Sequence, residues 1–249
     1  MLPSPADHLP PSHRVAEEPA IEWYLLGLVD FASAHALQQR LVYECDERGD
    51  GRITTLLCEH PPCVSVGRAG SHGHFRIALR DLAARGLPLH WVNRGGGCLA
   101  HGPGQLALYP IVPLAWHGWS IGDYLQRLQS GLQGILAGLQ VSASTRPARY
   151  GLWGRTGQLA AIAASVRHGI AWYGAYLNVS IPLELLRSVQ SDPFAGTPSS
   201  NLLAERGRPL RMSRVREAIV RELTNALGAS RYHVYSAHPL LVRQRASRA

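Results

Sequence analysis

The residues best suited to chemistry gather in one stretch. Residues 93–105 read NRGGGCLAHGPGQ, and the apolar run LALYPIV follows them. Successive glycines expose backbone N–H groups and let a ligand approach the main chain closely. Arg94 adds a planar cationic fork at the loop entrance, and His101 adds a titratable donor. The stretch is not a phosphate-binding P-loop, because the closing Gly-Lys-Ser/Thr is absent and a strand-like run follows instead of a helix. Two readings stand side by side: a cradle for a carbonyl or anionic substrate, or a wide turn between strands with His101 satisfied structurally. A second group, Cys58, His60 and Cys63 with His72 and His74, has the residue types of a zinc site, and Cys58 and His60 share one strand face.

The elements that must position these residues follow from periodicity. IEWYLLGLV reads as a strand, and residues 33–47 as a helix with Ala34, Leu37, Leu41 and Cys45 at helical spacing and GDG as its stop. RITTLLCEH alternates as a strand ended by Pro61-Pro62, and CVSVGR is a second short strand running into a Gly/His loop. ALRDLAARG fits a short helix, and LPLHWVN a strand that delivers the chain to the glycine loop. Beyond the loop come the strand QLALYPIV and a long helix capped by Ser120, with Tyr124, Leu125, Leu128, Leu132, Ile135, Leu136 and Leu139 along one side. ARYGLWG, GQLAAIAASVRHG and IAWYGAYLNVSI read as strands, the last two joined at a tight His168-Gly169 turn. A final helix over residues 213–227 carries Val215, Ile219, Val220 and Leu223 and stops at Gly228. Hairpins mixed with helices predict an α+β domain on a mixed, largely antiparallel sheet with flanking helices.

Composition narrows the function. The chain has 249 residues, 46% hydrophobic and 17% charged, an ordinary globular balance that can bury a sizeable core. The polar, Pro-rich residues 1–20 read as a disordered lead-in, 21–230 as the domain and 231–249 as a basic tail. The four cysteines are spread unevenly, as expected of reduced thiols in a cytoplasmic protein. All 25 basic residues are arginine, so Schiff-base, lysine-base and P-loop chemistry are excluded. The net charge of +8 suits an acidic partner, but the arginines are dispersed, and neither a nucleic acid nor a membrane is expected to bind.

RGGGCLAHGPGQLALYPIV resembles the signature of the octanoyltransferase family, also called lipoate-protein ligase B. That signature runs Arg-Gly-Gly, two variable residues, Thr, an aromatic or similar residue, then His-Gly-Pro-Gly-Gln ahead of a strand. HPPCVSVGRAG is similar to its His-Pro-Pro stretch, and GQLAAIAASVRHGIAWYGAYLNV to its strand pair, so the resemblance covers about residues 25–228. It implies the α+β fold of lipoate and biotin protein ligases and a cofactor-free cytoplasmic transferase. Such an enzyme moves an octanoyl (or lipoyl) group from acyl carrier protein to lipoyl domains of 2-oxoacid dehydrogenases or the glycine cleavage protein, through an acyl-cysteine. By position, the substrate loop falls on Arg94, Gly95, Gly96, Gly97, Cys98, Leu99, Ala100 and His101. Further acyl contacts fall on Ala161, Ile162 and Ala163 and on Gly174, Ala175 and Tyr176.

The departures are as specific as the match. The family's catalytic lysine falls on Gln158, its cysteine on Phe194, its loop threonine and aromatic on Leu99 and Ala100, and its hairpin histidine on Tyr173. No cysteine follows Cys98, so the expected thioester has no sulfur at that place. Cys98 with His101 as base is a candidate relocated pair, but the small tolerance in placing a nucleophile favours Cys98 as an apolar filler. The His60 and Gly67-Arg68 segments match the family's scaffold, and no metal site is expected there. Two functions follow: an octanoyltransferase-like protein with both catalytic residues replaced, or a non-catalytic relative that binds an acyl group, acyl carrier protein or a lipoyl domain.

Overall fold

Asp30 begins the first helix, its carboxylate accepting the Ser33 N–H at 2.8 Å, and Gly49 ends it in the left-handed conformation. The computed structural model describes residues 20–191 and 197–241. In chain order it has β1 (Ala20–Leu28), α1 (Phe31–Arg48), β2 (Ile53–Glu59), β3 (Cys63–Val66), α2 (Leu79–Ala84), β4 (Leu89–Trp91), β5 (Cys98–His101) and β6 (Gln105–Pro113). The second half holds α3 (Ile121–Gly138), β7 (Ser144–Arg146), β8 (Arg149–Gly154), β9 (Gly157–Arg167), β10 (Ile170–Asn178), α4 (Leu183–Leu186), α5 (Leu202–Arg206), α6 (Met212–Ala226) and β11 (Arg231–Tyr235). The strands form an eight-stranded sheet, β11-β1-β2-β6-β10-β9-β8-β7, and a three-stranded sheet, β4-β3-β5. β1 pairs in parallel with both β2 and β11, β3 in parallel with β4, and the remaining pairs are antiparallel.

Each face of the large sheet buries one core. Leu128, Leu132 and Ile135 of α3 and Val215, Ile219 and Leu223 of α6 pack against Ile21, Trp23, Leu57 and Leu108. Trp23, fully buried, satisfies its indole by donating to Thr224 Oγ1 at 3.0 Å. On the opposite face, Ala34, Leu37 and Leu41 of α1 pack against Leu56, Tyr109 and Trp172. Ser120 caps α3 as expected, in a reciprocal box with Asp123.

The fold is the expected one, with three differences. Residues 98–101 are not loop but strand, Cys63 pairing His101 across β3 and β5, so only 94–97 of the glycine segment lie outside a strand. β7 was not expected, because three residues carry no readable period. Arg231–Tyr235 extends the sheet beside β1 where a tail is expected; all five residues are exposed, so no hydrophobic alternation marks it. The predicted hairpin is present: His168 (φ 50°) and Gly169 (φ 75°) form the turn between β9 and β10, the geometry that matches strand twist.

Candidate functional site

The glycine segment is clamped from two sides. The Gly67, Arg68 and Ala69 N–H groups donate to the carbonyls of Gly97, Arg94 and Gly96 at 2.9–3.1 Å, and Gly95 N–H donates to Ala164 O on β9 at 2.9 Å. Gly67 is obligatory here: a Cβ would lie 2.6 Å from Gly96 O and 2.7 Å from Arg94 Nη1. The loop is thereby held open against the alanine-rich strand. Between them lies a cleft of about 210 Å³, walled by Gly96, Gly97, Leu99, Ala161, Ile162 and Ala163, with Arg94 at its base. Ala69, Arg149, Tyr150, Trp153, Gln158 and Ser191 complete its lining. The loop and β9 walls are small and apolar, which suits a flexible hydrocarbon chain, while Arg149, Gln158 and Ser191 add polar groups.

Arg94 is fully buried and does not project as a free cation. Its Nη2 donates to Ser65 O (2.8 Å) and Ser65 Oγ (2.7 Å), and its Nη1 to Gly95 O (3.0 Å). The Ser65 hydroxyl then donates to His101 Nε2 at 2.6 Å, and His101 Nδ1–H donates to Gln105 Oε1 at 2.7 Å. Gln105 Nε2 donates to Asn178 Oδ1 (2.9 Å), and Asn178 Nδ2 to the backbone carbonyls of Ser200 (2.9 Å) and Gln158 (3.4 Å). One hydrogen-bonded chain therefore runs from the loop arginine beneath the cleft to Gln158. Burial, then the nearby His60 and Arg94, holds His101 well below its ordinary range and neutral. Both of its nitrogens are committed, so His101 is a structural link and not a base.

Cys98 sits on the other face of β5 from His101, packed with Val64, Val66 and Ala100. Its Sγ–H points to Ser71 O at 3.7 Å, and burial pushes the thiol up. The Cys98–His101 pair is thus overturned, because residues three apart on a strand face opposite ways. All four cysteines are buried, with Cys63 pushed up to about 12 and Cys45 and Cys58 also raised by burial. The histidine–cysteine group near residue 60 is accounted for by other bonds: His60 Nδ1–H donates to Val29 O and its Nε2 accepts from Tyr109 Oη, both at 2.8 Å. His74 Nδ1 accepts the Ser71 N–H at 3.0 Å, and among the described residues no three His, Cys, Asp or Glu side chains gather as metal ligands.

Gln158, in the lysine position, is buried and its Oε1 accepts from Ser191 Oγ at 2.9 Å. Ser191 also bonds Ser199 Oγ at 2.8 Å, while Gln158 N–H donates to Pro198 O and Ser200 N–H to Gln158 O. Phe194, in the cysteine position, lies outside the described residues. Of the expected contacts, Gly95, Cys98, Ala100, His101, Gly174, Ala175 and Tyr176 do not line the cleft. Gly174 lies against β6, where a Cβ would meet Leu108 O at 2.4 Å, and Ala175 faces the α3 side of the sheet. Tyr176 and Ala100 border a smaller cavity of about 10 Å³ beyond Leu99 and Ala161. Trp153, Ser191 and Ser199 were not anticipated; Trp153 pairs with Gln158 across β8 and β9, but a register irregularity between Leu152 and Trp153 hides its face from the sequence.

A mixed eight-stranded sheet with an acyl-sized cleft under a glycine loop defines an α+β domain of the lipoate protein ligase type. The chain is similar in fold to the bi-partite lipoate protein ligase of Thermoplasma acidophilum studied with its E2 lipoyl domain, with a TM-score of 0.66 at 16% identity over 91% of each chain. The chain belongs to the lipoyl protein ligase A/B catalytic domain family, whose model matches residues 30–224. Within it, the octanoyltransferase of Geotalea uraniireducens is 36% identical over 194 residues, covering 78% of this chain and 87% of that protein. The octanoyltransferase of a Roseiflexus species is 32% identical over 205 residues, covering 80% of this chain and 84% of that protein.

Proposed function

We propose that this protein serves octanoyl transfer in lipoate metabolism in the cytoplasm, holding the octanoyl chain of an acyl carrier protein while a lipoyl domain approaches. The observation that carries the reading is the small-walled apolar cleft between the clamped loop and β9, in a chain with octanoyltransferase relatives. The transfer is direct. The neutral amine of the lipoyl-domain lysine attacks the thioester carbonyl carbon, the C–N bond forms, the C–S bond breaks, and the carrier thiol leaves with the proton that the amine loses. No acyl-cysteine intervenes, which agrees with four buried thiols raised by burial and with the absence of lysine from the chain. The protein's contribution is positioning, which can supply several orders of magnitude in rate.

A second reading, a non-catalytic acyl or carrier binder, is favoured by Gln158, whose amide can bond but cannot titrate. Mixing the protein with octanoyl-carrier protein and an apo lipoyl domain, and following both masses, separates them. Expected is an octanoyl adduct on the domain at a rate well above the uncatalysed mixture, with no adduct on this chain. An adduct on this chain overturns direct transfer, and saturable binding without any product overturns the transferase.

A further inference from the structure

We infer that the arginine-lined hollow where α5 hands the chain to α6 docks an acidic face of the acyl carrier protein, an inference that rests on the octanoyl-transfer reading above. The hollow has a volume of about 510 Å³ and is lined by Arg206, Arg208, Arg211 and Arg214, with Glu217 the one acidic residue among the described lining. None of the four guanidinium groups has a hydrogen bond, ion pair or ring contact among the described residues. Arginines elsewhere do find carboxylates: Arg40 meets Glu44 at 2.6 Å, Arg85 meets Glu184 at 2.8 Å, and Arg216, further along α6, meets Glu59 at 2.7 Å. Four like charges gathered without pairing repel one another, which an acidic partner relieves.

The start of α6 raises the cost of leaving this cluster bare. Its N-cap is Arg211, no side chain caps it and its first turn carries no acid, so Arg211 and Arg214 sit at the positive end of the helix dipole. α1 and α3 begin instead with Asp30 and with Ser120 and Asp123. Arg208, Arg211 and Arg214 are exposed together with Pro209, and Leu210 between them is half-buried. Cations around a small apolar centre have the make-up of a protein interface, and their spread over an open surface suits a broad acidic face more than a single phosphate. Position points to the carrier. Glu205, beside Arg206, accepts the Arg155 and Thr156 N–H groups at 2.9 and 2.8 Å and the Thr156 hydroxyl at 2.6 Å, which ties α5 to the β8–β9 turn. Gln158, two residues after Thr156, already lines the acyl cleft. A carrier seated on the arginines therefore stands beside the end of β9 at which the cleft begins.

The test variant combines Arg211→Glu with Arg214→Glu, which puts acids at a helix N-terminus, where they are favoured, so the fold is retained. Its control combines Arg167→Glu with Arg231→Glu, the same change in net charge at two exposed arginines outside the hollow. In titration calorimetry with octanoyl-carrier protein, the test variant is expected to bind about tenfold more weakly than the wild type or worse, and the control within about twofold. S-octanoyl-pantetheine, which keeps the acyl thioester but has no protein, is expected to bind all three alike, which also reports an intact cleft. Added salt is expected to weaken carrier binding by the wild type, and by the test variant much less. A test variant that binds the carrier as the wild type does, a control that loses as much, or a wild type that binds S-octanoyl-pantetheine but not the carrier overturns the docking site and leaves the acyl cleft standing. Loss of lipoyl-domain binding in place of carrier binding overturns it too. A wild type that binds neither S-octanoyl-pantetheine nor the carrier overturns the acyl-binding reading and the docking site together.

Discussion

Cys98 and His101 show how three residues of separation decide a chemical role. On a strand that spacing puts the thiol in the small-sheet core and the imidazole above Gln105 and Ser65, and neither meets the other. Iodoacetamide tests this side chain by side chain. In the native protein Cys98 is expected to stay unmodified over a period that alkylates it fully in the urea-unfolded chain, because only an accessible thiolate reacts and burial raises this thiol. Equal rates in native and unfolded protein, read by peptide mass, would place an accessible nucleophile beside the cleft and restore the thioester route. Arg94 makes a similar point: it is the residue that looks most like a ligand hook, yet its partners are Ser65 and Gly95. Its work is to hold the loop in one shape.

The central β6–β10–β9 strands carry the site, and their closeness rests on Gly174. Tyr173 adopts φ 57° and the chain turns so that the Gly174 α-carbon abuts β6, where an added methyl would meet Leu108 O at 2.4 Å and Pro110 Cδ at 2.7 Å. Both obstacles belong to a buried central strand that cannot step aside. Gly174→Ala is therefore expected to destabilise the protein by about 2 kcal/mol or more; an unfolding midpoint in urea within error of the wild type would contradict this. The elements around that position were largely legible. The β9–β10 hairpin follows from its two-residue turn, and α3 from its apolar stripe and Ser120. What was not legible depends on register. Linking Ser65 to His101, Gln105 and Asn178 needs β3, β5, β6 and β10 to be aligned residue by residue, and no local pattern encodes that. The direction of Trp153 was hidden by the irregularity in β8, and β11 by having no buried face. The glycine loop, by contrast, was readable because its clamping needs glycine at fixed places.

Across the whole molecule, histidines are concentrated where α1 meets the site. Phe31 stacks on His90 at 4.9 Å and packs against His60 and His101 at 5.3 and 5.2 Å, while His35 Nε2 meets Tyr173 Oη at 2.8 Å. Burial lowers His35, His60, His90 and His101 alike, and brings His60 down to about 4. The folded protein therefore binds fewer protons than the unfolded chain once the pH falls below the ordinary histidine value of about 6.5. Stability is expected to be level above that pH and to decline as pH drops from about 6.5 towards 4, with His60 alone contributing on the order of 3 kcal/mol to the fall. Asp123, held below its usual value by Ser120, loses its contribution only at still lower pH, so the two effects separate on the pH axis. Urea unfolding at half-unit steps from pH 8 to 4 measures the slope. His60→Gln, which keeps a polar side chain beside Tyr109 but cannot take up a proton, is expected to flatten the slope between 6.5 and 4. A wild-type curve that stays level to pH 4.5 would mean that these imidazoles reach water in the folded state, contrary to their packing around Phe31.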